Sequence, residues 1–231
     1  MIIIGDIHGE LQILKQILKR FKGEKKLFVG DYVDSLTASN DTIIETLNLV
    51  IKNGDIILIG NHDLGYYNIF PFKKYCTGYR MFMRKKLEKI FCDNSDKFRL
   101  MYFDKARNIL YTHAGVSRWW VNVYYKPADS VSVIKSLKEV NLFKMKYNHP
   151  VLNIGKSRGG DNDSGGPLWC DWNKDFFPLD TVNQVMGHTE VLQIETKGAK
   201  MFNYNIDCLL HKRSVLNVPE DLKKEIEIVN F

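Results

Sequence analysis

Met1-Ile2-Ile3-Ile4-Gly5-Asp6-Ile7-His8-Gly9 opens the chain. A short, fully apolar run stops at a glycine and delivers an Asp and a His two residues apart. The same pattern recurs where Leu27–Val29 runs into Gly30-Asp31-Tyr32-Val33-Asp34, and where Ile56–Ile59 runs into Gly60-Asn61-His62-Asp63. Each run has the length and the Ile/Val/Leu content of a buried strand. Between them lie helical patterns. Leu11, Leu14, Leu18 and Phe21 recur at helical spacing from Glu10 to about Phe21. A second helix is predicted over Asp41–Lys52, with Ile43, Ile44, Leu47, Val50 and Ile51 inward, capping-box spacing at Thr42 and Glu45, and Gly54 just beyond its end. Strand, helix, strand, helix, strand predicts an α/β fold with parallel pairing and right-handed crossovers.

Two more strand-sized runs extend the pattern. Ile109–Thr112 ends at His113, and Val182–Met186 ends at Gly187-His188. In open α/β sheets the loops after the carboxyl ends of strands converge on one crevice. Five such loops bring together Asp6, His8, Asp31, Asn61, His62, His113 and His188. Taken singly, each Asp reads as a turn residue and each His as a hydrogen-bonded core residue. Together they form a set of oxygen and imidazole donors without a thiolate, which suits Mn²⁺, Fe or Zn²⁺. Asp6 and His8 share a face in extended chain and can hold one ion together. Asp31 is the natural bridge to a second ion held by Asn61, His113 and His188. Two ions roughly 3.5–4 Å apart can share a water and clamp a phosphoryl oxygen.

The rest of the chain sets bounds. Its 231 residues, 45% hydrophobic and 26% charged, are enough for one large globular domain over residues 1–231. Residues 64–107 and 117–150, aromatic-rich and partly basic, read as helical and loop insertions. Val191–Ile194, Lys200–Ile206 and Glu225–Val229 read as further strands. No apolar run approaches the ~18 residues of a membrane helix. The N-terminus lacks the features of a secretory signal, and the four cysteines show no CxxC, so a cytoplasmic, reducing setting is expected. Lys plus Arg exceed Asp plus Glu by 33 − 27 = 6, a mild bias toward anionic partners. The basic, aromatic run from Lys73 to Lys89 reads as an amphipathic helix rather than a nucleic-acid surface. Gly155-Lys156-Ser157 lacks the upstream glycine of a P-loop, and Gly155–Gly166 reads as a flexible loop beside the site. His149 and His211 read as surface residues.

The set GDIHG, GDYVD, GNHD, THAG and GHT, in this order, resembles the calcineurin-like metallophosphoesterase superfamily. The phosphoprotein phosphatase branch, with its compact bacterial and bacteriophage serine/threonine phosphatases, is the most similar. Pro167-Leu168-Trp169 and Asn205-Ile206-Asp207 are similar to later signatures of that branch. The resemblance implies a four-layer α-β-β-α sandwich and a two-metal site. It assigns Asp6 and His8 to the first metal, Asp31 to the bridge, and Asn61, His113 and His188 to the second. It makes His62 the general acid and Asp34 the residue that orients its imidazole. The implied reaction is in-line attack by metal-bound hydroxide on a phosphate ester, with phosphoserine or phosphothreonine proteins as substrates. The hard and borderline ligands make Mn²⁺ the first metal to assay.

Three positions depart from that pattern. Ser35 stands where the branch has a phosphate-gripping Arg after GDxVD. Cys170-Asp171-Trp172-Asn173-Lys174 follows the Leu-Trp motif where a second Arg is usual. Asp63 replaces a usual Glu. A dianionic monoester benefits from bidentate arginines, and Lys is not equivalent. Arg158, Lys174 and Arg80 are the candidate substitutes. A phosphomonoesterase is the first expectation. A phosphodiesterase or dinucleoside polyphosphate hydrolase, acting on nucleotides or nucleic acid, is the second. A non-catalytic scaffold is the third; the complete set of ligands argues against it.

Overall fold

A computed structural model describes residues 1–66, 76–125, 129–142, 144–146 and 148–231. Lys73, Lys74 and Tyr75 of the basic run lie outside the described residues.

The predicted alternation is present. β1 (Ile2–Ile4), β2 (Lys26–Phe28) and β3 (Ile56–Leu58) pair in parallel, joined through α1 (Leu11–Arg20) and α2 (Asn40–Asn53). Alternate residues of these strands face opposite layers. Ile2, Ile4, Phe28 and Ile57 pack with Ile13, Leu14 and Ile17 of α1 and Leu47 and Val50 of α2. Ile3, Leu27, Val29, Ile56 and Leu58 instead meet Ile109, Tyr111, Val185 and Ile206 of a second sheet. A buried Ile or Leu contributes roughly 1.5–3 kcal/mol, so strands apolar on both faces are what a middle layer requires.

β4 (Phe98–Arg99) extends the first sheet in parallel. β10 (Ser214–Asn217) closes antiparallel on β1, and β11 (Glu227–Asn230) pairs with β10. The second sheet runs β5 (Met101–Asp104), β6 (Ile109–Thr112), β7 (Asn183–Met186), β9 (Asn203–Asn205), β8 (Glu195–Lys197), with β6, β7 and β9 mutually parallel. Its outer face is covered by α5 (Arg118–Tyr124) and α6 (Ser130–Glu139), which bury Trp120, Val121, Val133, Ile134 and Leu137. Helices, sheet, sheet, helices make the four-layer α/β sandwich.

Several local expectations are corrected. The segment 64–107 is not only helix and loop. After α3 (Asn61–Leu64) and α4 (Arg84–Asp93) it supplies β4 and β5. α4 buries Leu87 and Phe91 and exposes Lys85, Lys86 and Lys89, as an amphipathic helix should, but Phe82 just before it is 75% exposed. α2 is capped by Ser39, whose Oγ accepts from the Thr42 N–H at 3.2 Å, not by a Thr42–Glu45 box. Val191–Ile194 is irregular chain, with Val191 and Ile194 buried; the strand begins at Glu195. Among the described residues, no helix is long and apolar enough to cross a membrane.

Candidate metal centre

Each chemical residue leaves the carboxyl end of a strand. Asp6 follows β1, Asp31 follows β2, Asn61 follows β3, His113 follows β6, His188 follows β7 and Asp207 follows β9. The parallel strands of both sheets therefore aim their loops at one place. The backbone there is unusual. His8, Asp31, Asp34 and His188 all have positive φ, at 44°, 55°, 58° and 71°. Such conformations cost of order 1–3 kcal/mol for a non-glycine residue and persist where the surroundings enforce them. Close approach is also enforced: a Cβ on Gly60 would overlap the Asp31 carboxylate.

The donors meet. Ligand atoms of His8, Asp31 and His62 lie within 4.8 Å of one another, and so do those of Asp31, His113 and His188. Asp31 belongs to both groups, the position expected of a bridge. His8 directs Nδ1 at the Val33 and Asp34 carbonyls, 3.1 Å each, leaving Nε2 to face Asp31 at 3.8 Å. His113 directs Nδ1 at the Val29 carbonyl and brings Nε2 to 3.4 Å from Asp31. The Asn61 amide oxygen lies 2.8 Å from His113 Nε2 and 2.9 Å from His188 Nδ1. Its amide nitrogen donates to Cys76 Sγ at 3.4 Å, which turns the oxygen inward.

Asp6 is outside the two tightest groups. One of its carboxylate oxygens accepts the His188 N–H at 2.9 Å; the other is buried and, among the described residues, has no hydrogen-bond partner, as is true of His188 Nε2. Buried polar atoms are ordinarily satisfied, so this orphaned oxygen fits a cation. The electrostatics agree. Burial and the neighbouring Asp207 and Asp31 charges push the Asp6 carboxyl well up. Burial pushes Asp207 to about 6, with Asp31 repulsion adding to it. Burial also raises the cost of charging Asp31, but His113, His62 and His8 outweigh it and hold that carboxyl well below the usual range. Burial and the Asp31 charge push the Cys76 thiol up. Crowded carboxylates, imidazoles and an amide oxygen suit hard or borderline divalent ions.

Beside this cluster His62 is 17% exposed, and its Nδ1 lies 3.0 Å from Asp34 Oδ2. Burial favours the neutral ring, but Asp31 and the Asp34 hydrogen bond outweigh it, and the imidazole is held above its ordinary value. Asp63 ties the loops together. Its carboxylate accepts from the backbone N–H of Asp31, Tyr32 and Gly60 at 2.8, 2.9 and 3.0 Å. In the sequence Asp63 stands out only as a departure from a motif; in the structure it is the clasp between the loops after β2 and β3.

The three candidate cations have different fates. Arg80 braces the loop after Asp34, donating to the Ser35 and Ala38 carbonyls at 2.8 and 2.7 Å and to Asn40 Oδ1 at 2.5 Å. Ser35, buried, caps the same turn by accepting from the Ala38 N–H at 3.0 Å. Lys174 is exposed, and its backbone N–H is held by Asp171. Arg158 is the one placed at the cluster. It is 28% exposed, its Nε lies 2.8 Å from Asp171 Oδ2, and it donates at 2.6 Å to Thr189 Oγ, next to His188. Nor is its loop loose. Residues 156–158 form a 3₁₀ turn, Gly155 bridges Asn162, and buried Asp175 accepts from Ser157 Oγ at 2.7 Å and the Gly165 N–H at 3.2 Å. His149 is half-buried and accepts from Val151 N–H; His211 is exposed beside Glu190.

Known proteins resemble this chain in part. The chain is 29% identical over 154 residues to a symmetrical bis(5'-nucleosyl)-tetraphosphatase of Pseudomonas fluorescens, covering 61% of this chain and 50% of that protein. It is 26% identical over 167 residues to a protein of the same name from Vibrio cholerae, covering 65% and 60%. The chain thus spans about half the length of the curated relatives it matches. A serine/threonine phosphatase structure from Saccharomyces cerevisiae superposes with a TM-score of 0.58 at 15% identity, over 100% of this chain and 79% of that one, which speaks to fold. The model of the calcineurin-like phosphoesterase family matches residues 1–192, from the first strand past the last histidine of the cluster, and the chain belongs to that family.

Proposed function

We propose that the chain is a metal-dependent hydrolase of phosphate diesters or of internal phosphoanhydride linkages, such as those of a dinucleoside polyphosphate. The observation that carries the choice over a monoesterase is the cation count at the cluster among the described residues. Ser35 caps a turn, Arg80 braces a loop, and the remaining guanidinium, Arg158, is paired with Asp171. A dianionic monoester benefits from two unopposed arginines. A diester or an internal polyphosphate unit carries one negative charge at the scissile phosphorus and fits one half-neutralised arginine. The names of the Pseudomonas and Vibrio relatives point the same way.

In this reading Asp6, His8, Asp31, Asn61, His113 and His188 hold two divalent ions, with Mn²⁺ the first to assay. Bound there, such ions act as Lewis acids and lower the pKa of a water. Arg158 orients the phosphate from the Thr189 side. His62, its Nδ1–H on Asp34, gives a proton from Nε2 to the leaving oxygen, work that typically contributes ~10²–10⁴-fold.

The test is a paired assay with added Mn²⁺, comparing bis-p-nitrophenyl phosphate with p-nitrophenyl phosphate. Higher kcat/KM on the diester is expected, with dinucleoside polyphosphates tried next. Clear preference for the monoester would overturn the choice and return phosphoproteins to first place.

A further inference from the structure

We infer that Tyr66 is a positioning residue for the acid–base pair, fixing the Asp34 carboxylate so that one oxygen is reserved for His62. The inference rests on the general-acid reading of His62 given above.

Asp34 is fully buried at its carboxylate and sits on left-handed backbone. A carboxylate there has two oxygens and a free χ2 torsion, which is broad for Asp. Its Oδ2 faces His62 Nδ1 at 3.0 Å, and the Tyr66 hydroxyl donates to its Oδ1. The hydroxyl is itself aimed, because it accepts the Arg80 backbone N–H at 2.9 Å. Its ring is 1% exposed and stacks on Tyr79, with centroids 4.6 Å apart and planes at 25°. Arg80 also grips the chain just after Asp34 through the Ser35 and Ala38 carbonyls.

The connection therefore runs from the Arg80 N–H through the Tyr66 hydroxyl and the Asp34 carboxylate to His62. Each member has its donor and acceptor directions fixed by the next, as a satisfied buried network requires. Without the hydroxyl, Oδ1 loses its donor, the carboxylate is free to rotate, and the imidazole loses its fixed tautomer and direction. Only a step that uses the His62 proton feels that loss.

Tyr66→Phe keeps the stacked ring and removes only the hydroxyl. With Mn²⁺ present, its kcat is expected to fall about tenfold on an alkyl phosphate ester, part of the ~10²–10⁴-fold of a positioned acid, but by no more than about twofold on the matching p-nitrophenyl ester. KM and bound metal should not change. Equal losses on both esters, or no loss on either, overturn the role of Tyr66. His62→Asn, measured alongside, separates the two levels. If His62→Asn is selective for the alkyl ester and Tyr66→Phe is not, Tyr66 alone is wrong. If His62→Asn is itself unselective, the general-acid reading fails and the inference with it. Because Tyr66 acts through Asp34, adding Tyr66→Phe to Asp34→Asn should cost little more, and fully additive losses would contradict that route.

Discussion

Arg158 shows how one side chain's surroundings set a site's charge. Its guanidinium is shared between Asp171 and Thr189, so it presents a directed but half-neutralised cation beside His188. Asp171→Asn removes the opposing charge. It keeps an oxygen for the Asn173 and Lys174 N–H groups, which Asp171 Oδ1 now accepts at 2.9 and 3.0 Å. The variant should shift kcat/KM toward monoesters. Arg158→Ala should raise KM on every substrate by roughly tenfold, the worth of one charge-assisted hydrogen bond. An unchanged monoester-to-diester ratio in Asp171→Asn would remove the pair from the account. At this scale much was legible: all seven site residues named from the five strand ends converge. What was not legible was conformation. His8, Asp31, Asp34 and His188 lack the glycine that usually signals left-handed backbone, and the enrichment of Asp and His in that region is too weak to single out these four. The fate of Arg80 was hidden as well, since its partners Ser35 and Ala38 are distant in sequence and contribute only backbone carbonyls.

At the scale of elements, the loops after β2 and β3 work as one unit. Asp63 accepts three buried N–H groups across them, and burial together with the Asp31 charge pushes its carboxyl to about 7. Asp63→Ala leaves those groups unpaired at ~1–3 kcal/mol each. Its melting temperature should fall steeply; a change of only about a degree or two would mean that the loops hold without the clasp. Gly60→Ala tests the same junction sterically, because its Cβ would collide with the Asp31 carboxylate and backbone N–H. Metal content should drop even where the protein stays folded, and full retention in equilibrium dialysis would contradict the close approach. The strands of the first β-α-β-α-β stretch were readable because they are apolar on both faces. β8, β10 and β4 were not. In each, the ladder partner rather than its own pattern defines the strand, as with Ser214–Asn217 on β1. Val191–Ile194 misled for the opposite reason: it buries apolar side chains into the inter-sheet core without joining a ladder.

Across the whole molecule, the two sheets meet face to face so that parallel strands from both end at one rim. That is why residues as far apart as Asp6 and His188 share a hydrogen bond. The mild net charge of +6 is not what draws a phosphate there; the cluster itself is rich in buried carboxylates and calls for cations. In the proposed assignment two ions are joined by Asp31, and metal content measured with activity is the most direct test. After Mn²⁺ loading and removal of free metal, the protein should retain two ions per chain, and Asp31→Asn should lose both metal and turnover together. One ion or none in the unaltered protein, or undiminished turnover in Asp31→Asn, would contradict it.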